Sequence, residues 1–179
     1  MAYSILVVGT SWGGLNALRE LVGALPEDFR LPAVLVQHRH RQSDHLLIDR
    51  GFFTLSTDPP VRYSRPSIDV TFYSAADAYG AATVGVVLTG ANSDGSRGLR
   101  RIFDRGGLAL VQDPVTAESP AMPSAAVRCV PGARVETIAQ IAATVAGLAV
   151  ASPDDRPPRT TRSERRSDEP HHLSPPGSA

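Results

Sequence analysis

The chain has 179 residues, of which 42% are hydrophobic, enough for one domain with a sizeable core. Its formal net charge is zero, which argues against partners attracted by charge alone, such as nucleic acid or an anionic membrane. All 18 basic residues are arginines, so chemistry that needs a reactive lysine is excluded. The single cysteine, Cys129, permits no internal disulfide. Because no run approaches 18 apolar residues, we expect a soluble cytoplasmic protein.

The first half of the chain predicts three strands and two helices. The apolar runs YSILVV (3–8) and PAVLVQH (32–38) are typical of buried strands, and GFFTLS (51–56) of a shorter one. Between the first two, residues 13–25 predict a helix with Leu15, Leu18, Leu21, Val22 and Leu25 on one side. Residues 65–80 predict a second helix, with Pro66 near its first turn and Gly80 at its end.

The second half continues the alternation. Strands are predicted at 82–90 and 108–113, and helices at 94–107, with Asp94 at the start, and at 135–150. Apolar strands that alternate with helices indicate an α/β fold, a parallel sheet covered on both faces. From residue 151 the chain is rich in proline and has no aromatic residue. We therefore predict one domain over 1–150 and a disordered tail over 151–179, with His171 and His172 solvated.

Three polar stretches follow predicted strands: GTSWGG (9–14), QHRH (37–40) and TGANSDG (89–95). Sites in parallel sheets form at the carboxyl ends of strands, so we expect Ser11, His38 and Asp94 to lie near one another. A serine hydroxyl becomes a good nucleophile when a histidine takes its proton and a carboxylate holds that histidine. We predict the Ser11 hydroxyl near imidazole Nε2 and Asp94 accepting from Nδ1.

Residues 9–13 fit the pattern G-x-S-x-G, a sharp strand-to-helix turn that exposes a serine. Free N–H groups at the start of the helix, such as that of Trp12, could bind an oxyanion. The Trp12 side chain could line the site or pack against the strand ends. A serine that only caps the helix remains the alternative. A phosphate cradle is disfavoured, because neither G-x-G-x-x-G nor a Walker lysine is present.

Each of the other candidates also has a simpler interpretation. Asp94 could be only the N-cap of the helix that follows it. Arg65 and Asp69 are most simply a loop residue and a first-turn carboxylate. A histidine that ends a buried strand is often just a hydrogen-bonded core residue. His38 and His40 would face the same side of a strand and, with His45, form a possible metal site.

In this order, GTSWGGLNAL, VLVQHRH, RPSIDVTF, VGVVLTGANSDGSRGL and AMPSAAV resemble the catalytic domain of CheB-type chemotaxis methylesterases. The resemblance spans nearly all of residues 4–150. It implies a doubly wound, Rossmann-like α/β fold that hydrolyses glutamate γ-methyl esters, and often deamidates glutamines, on the cytoplasmic helices of chemoreceptors. It assigns a catalytic triad to Ser11, His38 and Asp94, and an oxyanion-binding backbone N–H to Ala91. No metal or organic cofactor is implied.

Two departures from the family pattern carry expectations of their own. No receiver domain precedes the domain, so we expect a stand-alone version or a fragment. About forty residues of the family pattern are missing near 41–45. The residues that remain there are too few to form the parallel crossover of the family. One strand and one helix should then be absent, which exposes apolar sheet surface and favours self-association and reduced activity. A catalytically impaired module that binds a receptor or another signalling protein is the alternative function.

Overall fold

The computed structural model describes residues 2–38, 44–59 and 66–148, so the predicted tail lies outside the described residues. The strands, in chain order, are β1 Ile5–Thr10, β2 Ala33–Gln37, β3 His45–Asp49, β4 Phe52–Ser56, β5 Thr83–Val87, β6 Leu108–Gln112 and β7 Arg134–Glu136. The helices are α1 Gly14–Gly23, α2 Ile68–Tyr79, α3 Ser96–Asp104, α4 Ala121–Cys129 and α5 Ile138–Ala146. No helix of the described ranges is long and apolar enough to span a membrane.

Five strands form one parallel sheet in the order β2-β1-β5-β6-β7. The chain moves from β1 outward to β2 through α1, and from β5 outward in the opposite direction through α3 and α4. The strand order therefore reverses between β1 and β5, which makes the fold doubly wound, as the resemblance implied. In such sheets the crevice for a ligand opens at the carboxyl ends of the strands at this switch point.

The sheet is covered by apolar side chains on both faces, as predicted. Alternate residues of each strand point to opposite faces, so β1 contributes Val7 to one core and Val8 to the other. Helices α2, α3 and α4 cover the first face, and α1 and α5 cover the second. The central strands β1 and β5 are buried along their whole length.

Strand β2 is an edge of the sheet among the described residues. Its burial alternates, and Leu35, which pairs with buried Val8, is 45% exposed. The predicted apolar side of α1 is wrong at two positions: Leu18 and Leu21 are buried, but Leu15 and Val22 are each 50% exposed. These side chains lack the cover that buried positions of a parallel sheet and its helices ordinarily have.

The predicted strand at 51–56 forms, as β4, but it lies outside the parallel sheet. It pairs antiparallel with β3, a strand that the sequence reasoning missed, through a turn at Gly51 with φ 82°. The hairpin packs on α2, where Ser74 Oγ accepts from the N–H of Ile48 and Thr71 Oγ1 donates to the carbonyl of Leu46. Alternation alone could not separate this hairpin from a strand of the main sheet.

The last third of the domain differs from the prediction in its element boundaries. The predicted helix at 135–150 is the short strand β7 followed by α5, which begins after the Thr137 capping box. Helix α4 includes the AMPSAAV segment, for which the sequence reasoning predicted no helix. Helix α3 has Gly95, not Asp94, as its N-cap, so the simple capping role considered for Asp94 is wrong.

Candidate active site

Ser11 and His38 follow the ends of adjacent strands, which confirms that part of the prediction. Thr10 is in register with Gln37, and the N–H of His38 donates to the Thr10 carbonyl at 3.1 Å. Asp94 comes from the loop after β5, the neighbour of β1 on its other side. The three residues therefore come from three neighbouring strand ends, with Ser11 on the central one.

The backbone around Ser11 is fixed by its neighbours. The Ser11 N–H donates to the Thr89 carbonyl at 3.0 Å, and its carbonyl accepts from Gly14 at 3.0 Å. Gly13, with φ 75°, is the N-cap of α1, and no side chain caps this helix, so the alternative role of Ser11 as a helix cap is wrong. Within the described residues the half-buried Ser11 side chain makes no hydrogen bond.

The structure brings His38 and Asp94 into contact, with 2.8 Å between His38 Nε2 and Asp94 Oδ2. The predicted choice of nitrogen is wrong, since Asp94 takes Nε2 and Ser11 cannot use it. The physical reason is distance: β1 lies between β2 and β5, and Asp94 is in the loop after β5, so His38 must reach across roughly two strand spacings of about 4.8 Å. Nε2 lies farther from the backbone than Nδ1, so it is the atom that spans this gap.

The Asp94 carboxylate is 1% exposed and accepts hydrogen bonds on both oxygens. Oδ2 accepts from the N–H of Ile68 at 2.7 Å, in addition to His38. Oδ1 accepts at 3.0 Å from three further donors, the Ser67 hydroxyl and the N–H groups of Asp69 and Gly95. Asp94 therefore closes the amino end of α2, where the helix dipole favours a negative charge.

These contacts decide the ionisation of Asp94. Burial raises the pKa of its carboxyl group, because a charge is poorly solvated there. The hydrogen bond and charge of His38, with the N–H groups of Asp69 and Ile68, lower the pKa by more. The net result is a pKa of Asp94 below its ordinary value, so the group is a carboxylate at neutral pH. In this state it can hold an imidazolium at His38.

The buried Asp69 has a more specific role than the first-turn carboxylate expected for it. Its Oδ1 accepts from the N–H of Gly98 at 2.7 Å, in the first turn of α3. Asp94, which precedes α3, accepts from the first N–H groups of α2, and Asp69 of α2 accepts from an N–H group in the first turn of α3. The two carboxylates thus hold the amino ends of the two helices together. Arg65 lies outside the described residues.

The N–H groups of Trp12 and Ala91 donate to no acceptor within the described residues. These are the groups predicted to bind an oxyanion. The Trp12 side chain is 67% exposed, so it does not pack against the strand ends. Its carbonyl accepts from the Thr89 hydroxyl at 3.0 Å, which fixes the peptide between Trp12 and Gly13.

The histidines of the alternative metal site do not assemble in the described residues. His45 is 1% exposed; its Nδ1 accepts from the N–H of Ser67 at 3.1 Å, and its Nε2 lies 3.2 Å from the carbonyl of Pro59. Both ring nitrogens are therefore occupied in a core role. His40 lies outside the described residues, and no cluster of three metal-ligating side chains occurs within them.

Comparison with known proteins decides the family. The model of the CheB methylesterase family matches residues 6–50 and 40–145. A putative protein-glutamate methylesterase/protein-glutamine glutaminase of Leptospira interrogans is 38% identical over 164 aligned positions, which take in 71% of this chain and 85% of that protein. The chain belongs to the CheB methylesterase family. It is accordingly an enzyme of the carboxylic ester hydrolase class.

Two further comparisons agree with this membership. A protein-glutamate methylesterase/protein-glutamine glutaminase 2 of Anaeromyxobacter dehalogenans is 35% identical over 69% of this chain, which spans only 47% of that protein. The crystal structure of the Thermotoga maritima CheB methylesterase catalytic domain has the same fold, with a TM-score of 0.74. It is 24% identical and is covered to 98% by the match, which takes in 82% of this chain.

Sequence reasoning missed several residues that build this CheB-family site. Thr89 ties the loop after β1 to the loop before α4, because its hydroxyl also accepts from the N–H of Ser119 at 2.8 Å. Gln112, at the end of β6, accepts from the Thr89 N–H. Asn92 contacts His38. Thr89 and Asn92 belong to the polar stretch at 89–95, whose position after a strand was the one signal available.

Proposed function

We propose that this CheB-family chain hydrolyses glutamate γ-methyl esters on the cytoplasmic helices of chemoreceptors, and deamidates glutamines there, in chemotaxis signalling. The family supports the reaction, and the names of the relatives include both activities. The cytoplasm is the compartment where those helices are reached. The chemistry needs only a nucleophile, a base and oxyanion donors, so the proposal invokes no cofactor.

In this proposal Ser11 is the nucleophile, His38 the general base and Asp94 the carboxylate that holds His38. The observation that carries it is the 2.8 Å contact between His38 and a buried, ionised Asp94 beside the strand end that bears Ser11. Because Asp94 occupies Nε2, the base nitrogen left for Ser11 is Nδ1. The N–H groups of Trp12 and Ala91, which have no acceptor among the described residues, supply the oxyanion site.

The reaction proceeds in two halves. Ser11 Oγ attacks the γ-carbonyl carbon as its proton moves to His38, and the N–H groups of Trp12 and Ala91 stabilise the oxyanion. The carbon–oxygen bond to the methoxy group then breaks, and methanol leaves with the proton from His38. Water attacks the acyl-enzyme, His38 takes the proton of the water, and the Ser11 oxygen leaves with it. A glutamine follows the same path with ammonia as the leaving group.

The test is release of labelled methanol from methyl-labelled receptor. Ser11→Ala should abolish release, whereas Ser4→Ala, at the opposite end of the same strand region, should retain it. Ammonia release from receptor glutamines should respond in the same way. Methanol release that persists in Ser11→Ala, in protein with a native melting profile, would contradict the assignment of the nucleophile. A wild-type chain that binds receptor without releasing methanol would instead favour the impaired binding module.

We also propose that the chain lacks a segment of the family pattern near 41–45 and self-associates as a result. The alignment with the Leptospira protein supports this, since 71% of 179 residues is about 127, fewer than its 164 positions. Gaps in this chain account for the difference. The outer edge of β2 and the 45% exposed Leu35 are features that a missing strand and helix would leave. Each is suited to contact with a second copy.

A further inference from the structure

Asn92 makes two hydrogen bonds that fix its side-chain amide. Its Oδ1 accepts from the N–H of Asp94 at 3.0 Å. The other end of the amide, Nδ2, lies 3.3 Å from Nδ1 of His38. An amide nitrogen is a donor only, so Nδ1 must be the acceptor in this contact. The backbone of Asp94 thereby determines which end of Asn92 meets the imidazole.

The two neighbours of His38 require the same protonation state of the neutral ring. The Asp94 carboxylate can only accept, so Nε2 carries the proton, and Asn92 can only donate, so Nδ1 carries the lone pair. A 180° rotation of the ring would exchange Nδ1 with the carbon Cδ2 and Nε2 with the carbon Cε1, so neither partner would face a nitrogen. Only the observed orientation satisfies both partners.

We propose that Asn92 is a positioning residue that sets the orientation and tautomer of His38, so that the Nδ1 lone pair is held ready for the nucleophile. This rests on the proposed function, in which Nδ1 takes the Ser11 proton. The contact of 3.3 Å is long for a hydrogen bond of this kind. Because Asn92 is exposed, its amide can yield to the serine hydroxyl when substrate enters.

Two variants separate the donor from the loop that carries it. Asn92→Ala removes both bonds. Asn92→Asp keeps an oxygen for the Asp94 N–H and with it the turn, but loses the donor to Nδ1. Asn16→Ala, at the only other asparagine and exposed on α1, is the matched control. Melting profiles of all variants identify any loss of folding, and Asn92→Asp keeps the test valid if Asn92→Ala is poorly folded.

The first readout is the imidazole itself. Nitrogen-15 NMR of the full chain, with His38 assigned by the signals lost in His38→Gln, reports which ring nitrogen carries the proton. We expect the neutral His38 ring of the wild type to carry its proton on Nε2, and a mixture of the two tautomers in both Asn92 variants. A wild-type proton on Nδ1, or identical spectra in Asn92→Ala, would overturn the inference. This measurement does not depend on activity.

The second readout is the kinetic profile. One neutral hydrogen bond is worth about 1 kcal/mol, so kcat should fall about fivefold in Asn92→Ala with KM unchanged. The acidic limb of the kcat/KM profile should move to higher pH in both variants, most in Asn92→Asp. If the acidic limb does not move in either variant, Asn92 only shapes the loop and the inference is refuted. A wild type without methanol release would refute the proposed function instead, while the NMR still decides the role of Asn92.

Discussion

Replacing Asp94 with asparagine tests how much of the fold depends on the candidate site. The substitution keeps the shape of the side chain but removes its charge and one of its two acceptor oxygens. With the amide oxygen at the position of Oδ1, the three donors there remain satisfied. The amide nitrogen then faces the two donors that Oδ2 accepted, His38 Nε2 and the N–H of Ile68.

The size of the effect follows from those two contacts. A hydrogen bond to a charged group contributes about 1.5 to 3 kcal/mol, so losing two costs about 3 to 6 kcal/mol. A domain has a net stability of about 5 to 15 kcal/mol, so this is a large part of it. At about 3 °C per kcal/mol for a domain of this size, we expect the Tm to fall by about 10 °C or more.

Thermal and urea melts of Asp94→Asn measure this directly. The control is Asp77→Asn, which removes a carboxylate of α2 that is 52% exposed and pairs with Arg101 and Arg105. Surface ion pairs contribute about 0 to 1 kcal/mol each, so losing these two should lower the Tm of the control by about 6 °C at most. If Asp94→Asn melts within the range of the control, Asp94 does not hold the amino end of α2 as we have argued.

Three further predictions address pH, packing and association. The pKa of Asp94 in the fold lies below its ordinary value near 3.8, so its contribution to the free energy of unfolding is complete above about pH 5 and is lost as the pH falls through the lowered pKa. Acid titration of unfolding should be shallower in Asp94→Asn, and parallel curves would contradict this. A Cβ on Gly90 would lie 2.7 Å from Met122 Cε and 2.9 Å from Ser11 Cβ. Gly90→Ala should therefore displace Ser11 and lower kcat/KM up to about 100-fold. An unchanged kcat/KM would show that only the Met122 side chain moves. Leu35→Glu should shift wild-type oligomers toward monomer in size-exclusion chromatography, and identical elution profiles would exclude the β2 edge as the contact.

The parallel sheet could be predicted because its strands are apolar on both faces. The run VGVVL at residues 84–88 is typical of a strand that is buried on both faces of a parallel sheet. The hairpin of β3 and β4 could not be assigned, since a short apolar run does not show which strand it pairs with, and the hairpin is positioned by tertiary contacts with α2. The three-residue strand β7 is too short for a periodic signal, and it merged with α5 in the prediction.

The sequence predicted that Ser11, His38 and Asp94 follow neighbouring strand ends, but it did not predict correctly which imidazole nitrogen contacts Asp94. The position of Ser11, His38 and Asp94 after strands was sufficient to expect them at one edge of the sheet. The choice of imidazole nitrogen depends on the strand order, because β1 separates His38 from the loop of Asp94. Strand order is not encoded in the local pattern. The contribution of Asn92 was equally hidden, since its amide acts through the ring it orients.

The contacts of Asp94 explain how a buried charge can be kept ready at this site. An isolated carboxylate would tend to take up a proton when it is removed from water. Here the hydrogen bond from His38 and the N–H donors at the amino end of α2 hold the pKa of Asp94 below its ordinary value, so the carboxylate stays charged at neutral pH. Asp69 likewise accepts from an N–H group in the first turn of α3, and this contact keeps the loop that bears Asp94 against α2. The carboxylate proposed to hold His38 is therefore fixed by helix packing, and its orientation does not have to be created when substrate binds.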